Sequence, residues 1–563
     1  MGGIRATLTF RRDPAHATRT RARAGLMSLI FALAFCVIGL RLVDIGFAPD
    51  ESGRGVKRKA QSTAVSRPDI VDRKGRILAT DIQTGSLFAD PSRIVDLDTT
   101  VEQLSAILAN VNAPALRKRL AGGGKFLWIA RGLTPRKQAR IYELGLPGID
   151  FVKEPRRVYP AGVTASHILG HVDVDNRGLA GVERYIDKQS GPLSVSAKAG
   201  EKRPPVRLAM DLSVQYAVRE ELASALARYK ARAAVGIVLD VHTGEIVALS
   251  SLPDYDPNQR AQALEKKRFN RASSGVYEMG SVFKIFTTAA ALDTGVTSMD
   301  KGYDASKPIK AAGFTINDFH GKRRWLSVPE IFIYSSNIGS AKMALDIGIK
   351  RHKAFLGRLG LLDRLESEMG PTAAPILPKK WGRLNTMTIS YGHGLSVTPL
   401  HLASAAAALV NGGYRVKPAF LARSREEARV QFDRVLKLRT SDLMRYLFRL
   451  NVQQGSGKRA NSAGYRVGGK TGTAEKVVNG RYSRSARLTS FLGVFPMDAP
   501  QYLVLVSLDE PKGVKETRNL ATAGVNAAPT AGRIIERIGP MLNVTPVIDK
   551  RRDKSASPVP VSY

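Results

Sequence analysis

Hydrophobic and polar positions divide the chain into stretches of different rhythm. The first is an uncharged, mostly apolar run of seventeen residues, Ala24–Leu40. Leu42, Val43, Ile45, Gly46 and Phe47 prolong its apolar face, and Arg41 can snorkel. A tilted helix over 24–47 is long enough to cross a bilayer, provided that Asp44 sits near the interface. A cleaved signal peptide is the rival, but no small-residue cleavage site follows the run. Residues 48–65 are polar and basic and read as a linker. Ser66–Ala79 predicts two short strands around the turn Asp72-Arg-Lys-Gly75. Over 101–150 the apolar positions, such as Val101, Leu104, Ile107 and Leu108, recur with a helical period.

The rhythm changes again near Asp211. Leu212–Arg228 predicts an amphipathic helix. Ala234–Leu239 and Glu245–Leu249 predict strands joined by the turn Asp240–Gly244. Thr489–Phe495 and Tyr502–Ser507 predict a second hairpin, and most of the chain between the pairs reads as helix. Two sets of antiparallel strands split by a helical insertion predict an α+β fold, an antiparallel sheet with helices on its faces. The tail from Asp549 is polar and reads as disordered.

Charge and cysteine content narrow the setting. There are 86 basic and 49 acidic residues among 563, a formal net charge of +37. Such a chain is drawn to polyanions. Neither zinc-finger spacing nor an RNA-binding aromatic signature is present, so nucleic acid is not an expected partner. The single cysteine, Cys36, falls inside the apolar run and excludes an intramolecular disulfide. Arg5, Arg11, Arg12, Arg19, Arg21 and Arg23 precede that run, against one acid, Asp13. Arg54, Lys57, Arg58 and Lys59 follow it, so charge bias alone orients the helix weakly.

The candidate chemistry begins at Ser281-Val-Phe-Lys284, which opens a predicted buried helix, Ser281–Leu292, ended by Gly295. Residues i and i+3 share a helix face, so Ser281 and Lys284 point into one space. Val282, Phe283, Ile285 and Phe286 would desolvate the amine and lower its pKa, leaving a base for the serine hydroxyl. Ser298-Met-Asp-Lys301 has the same spacing, so the pattern alone is weak. Ser335-Ser-Asn337 offers a hydroxyl for proton relay and an amide for a peptide carbonyl, or simply a helix cap. In Lys470-Thr471-Gly472-Thr473 the amine and hydroxyls suit a carboxylate, and Gly472 leaves room for a backbone approach. The bland alternative there is a glycine-rich loop beside a solvated lysine.

In this order the three elements are specific, and the chain resembles the class B penicillin-binding proteins, with the division-specific transpeptidases the nearest branch. Arg67–Ala79, Arg157-Val-Tyr-Pro160 and Gly178–Glu183 resemble signatures of the family's pedestal. Tyr391-Gly-His-Gly394 and Val397-Thr-Pro399 are similar to its Gly-x-Gly and Val-Thr-Pro stretch. Met279 and Ile285 stand where the family often has proline.

The resemblance implies a transpeptidase domain of the penicillin-binding/serine β-lactamase-like type, preceded by an elongated pedestal and one transmembrane helix. It divides the chain into a cytoplasmic tail (1–23), a membrane helix (24–47), a periplasmic pedestal of the dimerisation type (48–210), a transpeptidase domain (211–545) and a disordered tail (546–563). It also implies a single-pass inner-membrane protein with its N-terminus in the cytoplasm. Ser281 would be the nucleophile and Lys284 its base, with Ser335 relaying the proton to the leaving D-alanine. Asn337 would orient the donor peptide, and Lys470 would support the electrostatics. Thr471 and Thr473, flanking Gly472, would bind the terminal carboxylate. The backbone N–H groups of Ser281 and Thr473 would form the oxyanion hole. Peptidoglycan stem peptides would be the substrate, β-lactams covalent inhibitors, and FtsW with other divisome proteins the partners. The family requires neither metal nor cofactor.

An elongation-type transpeptidase is the near alternative. A β-lactamase needs a water-activating glutamate loop, and none is clear. A non-catalytic sensor or scaffold predicts decay of one element, yet all three are intact. A glycosyltransferase domain is a poor fit to the short 48–210 segment.

Overall fold

The computed structural model describes residues 14–47, 66–189, 203–430, 433–478 and 480–547. The linker expected over 48–65 and the tail expected from Asp549 lie outside them. Pro14–Phe47 is one helix, and its stretch Gly25–Val43 has a mean hydropathy of 2.5. Phe35 and Leu40 on it are 70% and 71% exposed, which suits a hydrocarbon environment.

The chain forms two compact units. One comprises 1–63 and 85–153, the other 64–84 and 154–563. In the first, Asp96 and Asn112 cap the helices Leu97–Ile107 and Ala113–Ala121, each side chain accepting a backbone N–H. Their apolar faces close a small core of Val101, Leu104, Leu116, Leu120, Ile129 and Ile141. The helical period predicted over 101–150 is interrupted by a strand, Leu127–Leu133. Gly122-Gly-Gly124 precedes it, the last two at φ +71° and +106°, and ends the helix. Trp128 and Ala130 then pair across to Phe88 and Leu87.

The second unit is built on an antiparallel sheet. Its strands are β1 (Ala233–Asp240), β2 (Ile246–Leu252), β3 (Gly468–Val478), β4 (Arg481–Phe495) and β5 (Tyr502–Asp509), in the order β3-β4-β5-β1-β2. Six helices matter here: α1 (Leu212–Arg228), α2 (Lys284–Thr294), α3 (Val328–Tyr334), α4 (Asn337–Ile347), α5 (Leu438–Gln454) and α6 (Ala527–Met541). Alternate residues of β5 serve two cores. Val504, Val506 and Leu508 pack with Val218 and Leu222 of α1 and Ile534 and Ile538 of α6. Leu503 and Leu505 join Phe286, Phe332 and Phe448 of α2, α3 and α5. Both faces are therefore covered, which is why β1 and β5 read as continuous apolar runs. The predicted turn at Asp72–Gly75 is present, with Gly75 at φ +83° and Ile70 paired to Ala79.

The same unit holds a buried ion cluster. Glu183 accepts from Arg67 Nε at 2.9 Å and from Arg157 Nε at 2.7 Å, and Asp81 lies 3.2 Å from Arg157. The side chains of Arg67, Arg157 and Glu183 are each at most 1% exposed, so the two guanidinium charges are met by the carboxylates of Glu183, Asp81 and Asp187.

Candidate active site

Ser281 sits on a tight 3₁₀ turn, Gly280–Phe283, and α2 proper begins at Lys284. The predicted helix is thus α-helical only from the lysine onward, and Gly295 ends it at φ +72° as expected. In a 3₁₀ turn residues i and i+3 eclipse, which aligns the pair more closely than an α-helix would. Lys284 Nζ lies 3.0 Å from Ser281 Oγ. Val282, Phe283, Ile285 and Phe286 are fully buried, and Lys284 is 1% exposed. That burial, and then the nearby charge of Lys470, hold the amine well below a lysine's usual value. Asp318 opposes the shift.

Ser335 ends α3 in the left-handed region, at φ 58° and ψ 45°. For a residue with a Cβ this costs about 1–3 kcal/mol and persists only where surrounding contacts enforce it. In this conformation Ser335 Oγ accepts from Lys284 Nζ at 3.0 Å and from Lys470 Nζ at 3.0 Å, and the Ser335 carbonyl also accepts from Lys284. Lys470 is buried on β3, and desolvation pulls it down to about 7. Ser281, Lys284, Ser335 and Lys470 therefore form one hydrogen-bonded chain.

The edge strand β3 brings the remaining groups. Thr471 Oγ1 is 2.6 Å from Ser456 Oγ. A Cβ on Gly472 would stand 2.6 Å from Met279 O and 2.8 Å from Val282 N, so only glycine lets the strand meet the nucleophile turn this closely. Gly280, at φ +54°, approaches the Thr473 carbonyl from the other side. Thr473 Oγ1 accepts from Ala523 N at 3.2 Å. Asn337 opens α4, and its Nδ2 donates to Asn317 O at 2.8 Å rather than to the lysine–hydroxyl chain.

Several supporting residues escaped the sequence. Asp318 accepts from Ser336 Oγ, Asn337 N and Ile338 N. Asn451 of α5 donates to Gly469 O at 2.7 Å and accepts from Ser456 N at 3.2 Å. Glu278 accepts from Gly394 N at 2.7 Å. Only the last had a signal, since Tyr391–Gly394 was singled out. There Gly280 N donates to Gly392 O at 3.2 Å, and Gly392, at φ +87°, has no room for a Cβ against Gly280.

A model of the penicillin binding protein transpeptidase domain matches residues 234–536, and one of the penicillin-binding protein dimerisation domain matches 62–190. The chain belongs to the class B penicillin-binding proteins. It is 40% identical, over 93% of its length and 89% of the relative's, to the probable peptidoglycan D,D-transpeptidase FtsI of Caulobacter vibrioides. It is 32% identical, over 92% of each chain, to the probable peptidoglycan D,D-transpeptidase PenA of Neisseria gonorrhoeae. The fold resembles that of penicillin binding protein 3 from Mycobacterium tuberculosis, solved with aztreonam. That match has a TM-score of 0.66, at 24% identity, over 86% of this chain and 98% of that one. Class B penicillin-binding proteins are serine D,D-transpeptidases. In this one the transpeptidase match spans the strands and helices that carry Ser281, Ser335 and Lys470, and the dimerisation match contains the Arg67–Arg157–Glu183 cluster.

Proposed function

We propose that the protein cross-links peptidoglycan during septal wall synthesis, through an acyl-enzyme on Ser281. The observation that carries the reading is the hydrogen-bonded run Ser281–Lys284–Ser335–Lys470 inside an apolar shell. Uncharged Lys284 takes the Ser281 proton as Oγ attacks the carbonyl of the penultimate D-alanine. The N–H groups of Ser281 and Thr473 hold the oxyanion, a term worth on the order of 10²–10³ in rate per donor. The close approach of Gly472 to the 280–282 turn supports that pairing. Ser335 passes the proton to the departing D-alanine amine as the peptide bond breaks. Lys470, Thr471 and Thr473 bind the terminal carboxylate, and Asn337 orients the donor backbone. An amine of a neighbouring stem peptide then attacks the ester, forms the cross-link and frees Ser281.

The decisive experiment is labelling of the full chain with a fluorescent penicillin. Ser281→Ala should remove the label and leave the protein folded, and an undiminished label would refute the nucleophile. A lasting adduct supports a transpeptidase, whereas rapid turnover of the drug would point to a β-lactamase.

The septal role rests on the likeness to the FtsI relative. A fluorescent fusion should gather at the division plane, and a uniform sidewall signal would favour the elongation class. The apolar helix supports a single-pass anchor over 24–47 with the basic tail (1–23) in the cytoplasm. A periplasmic pedestal (48–210) and transpeptidase domain (211–545) would follow, with FtsW engaged through anchor and pedestal.

A further inference from the structure

The half-buried carboxylate of Asp318 receives three hydrogen bonds from the start of α4: Ser336 Oγ at 2.7 Å, Asn337 N at 2.5 Å and Ile338 N at 3.0 Å. The neighbouring Asn317 carbonyl takes Asn337 Nδ2 at 2.8 Å. Two consecutive residues of a loop, outside the three motifs, thus hold the three residues that follow Ser335. Ser335 itself occupies the left-handed region. Its direction is set from behind by α3, where Ser336 N donates to Ile331 O at 3.0 Å, and from ahead by the Asp318 grip. Without the carboxylate, the α4 side would keep only the Asn337–Asn317 bond and the Ser336 cap of its own helix, a weaker brake on relaxation of Ser335 to an ordinary conformation. Its hydroxyl would then leave Lys284 and Lys470.

The same carboxylate is also an electrostatic neighbour of the buried lysine. Lys470 on β3 disfavours the charged form of Lys284, and Asp318 favours it. His393, in the Tyr391–Gly394 turn, senses Lys284 in turn and itself faces Glu278 and Glu475.

We infer that Asp318 is a positioning residue of the transpeptidation site. Its carboxylate fixes the turn that aims the Ser335 hydroxyl at the two lysines and supplies the negative charge that Lys284 faces. The inference rests on the reading of Ser281 and Lys284 as nucleophile and base. A carboxylate at a helix N-terminus also stabilises the helix in the ordinary way. That role alone would change the amount of folded protein and not its pH response.

The test measures the second-order rate constant for acylation of the detergent-solubilised full chain by a fluorescent penicillin, from pH 5 to 9. Asp318→Asn keeps the shape and removes the charge. A misplaced hydroxyl should lower the rate by about 10²-fold. Losing a charge that favours protonated Lys284 should move the acid limb of the profile to lower pH. Asp318→Glu keeps the charge, so its limb should stay in place while the rate falls. A melting curve reports folding, and Asp318→Ser serves as the second neutral variant should Asp318→Asn not fold. A wild-type rate in the neutral variants, or a loss with an unmoved limb, would overturn the inference. Label that survives Ser281→Ala would instead overturn the reading beneath it.

Discussion

Lys284 and Lys470 converge on a single hydroxyl, the Nζ of each standing 3.0 Å from Ser335 Oγ. Two ammonium groups so placed in a dry apolar shell would repel strongly. Burial lowers the proton affinity of both, Lys470 to about 7, and Lys284 is lowered further by the charge of Lys470. Both amines are thus pushed toward their uncharged forms, and the charge of Lys470 disfavours that of Lys284.

The first consequence is a pH profile. Acylation requires an uncharged Lys284, so its rate falls about tenfold per unit on the acid side of that amine's titration and is level above it. Because burial holds the amine well below a lysine's usual value, the rate should level off at a lower pH than an ordinary lysine would allow. Stopped-flow or gel-based acylation kinetics would check this. A rate still climbing tenfold per unit from pH 8 to 10 would contradict it.

Stability should carry the same signature. Lys470 titrates near 7 in the folded chain and near 10.5 unfolded. Between those values the unfolded chain binds a proton that the folded chain does not, so stability rises with pH there and levels off above. The slope for one such proton is about 1.4 kcal/mol per pH unit. Lys470→Met should remove the Lys470 share of the slope between pH 7.5 and 9.5, leave that of Lys284, and raise the melting temperature at pH 7, while acylation falls by at least about 10²-fold. Melting curves across pH for the two proteins would decide it, since a parallel slope in the variant would show that Lys470 is not the group.

The sheet and the lysines were legible in the sequence for one reason: both rest on short-range patterns. Tyr502–Ser507 alternates between two cores, and Ser281 and Lys284 are one turn apart. Asp318 was not legible, because an isolated acid in a loop has no period and its partners follow it by some twenty residues. The same holds for Asn451, whose value lies in meeting Gly469 and Ser456 in space. The strand Leu127–Leu133 was missed because its flanking helices impose their own period on the window, and the glycines that break it are the subtler signal.

Gly472 offers a steric test. Ala at this position has an accessible extended backbone but drives a methyl group into Met279 O and Val282 N, both backbone atoms that cannot swing aside. The edge strand must retreat from the nucleophile turn by a sizeable fraction of an ångström. Gly472→Ala should express as folded protein and lose on the order of 10²-fold in acylation rate. Normal acylation of this variant would mean that the contact between strand and turn is not needed.

The buried ion cluster away from the lysines should behave in the opposite sense. Glu183 receives both Arg67 and Arg157 with no solvent to replace a lost partner. Glu183→Gln keeps the volume but removes the carboxylate that both guanidinium groups share, and breaking a buried pair in this way costs about 3–5 kcal/mol. Asp187, which also contacts Arg67, and Asp81, which also contacts Arg157, offset only part of it. Because the chain forms two compact units, the loss is best read as a shift in denaturant midpoint followed by proteolysis of the unit that contains the cluster. Protein that remains folded should still acylate at the wild-type rate, since none of these side chains touches Ser281, Lys284, Ser335 or Lys470. A fall in the acylation rate constant of the folded fraction would instead tie the cluster to the chemistry.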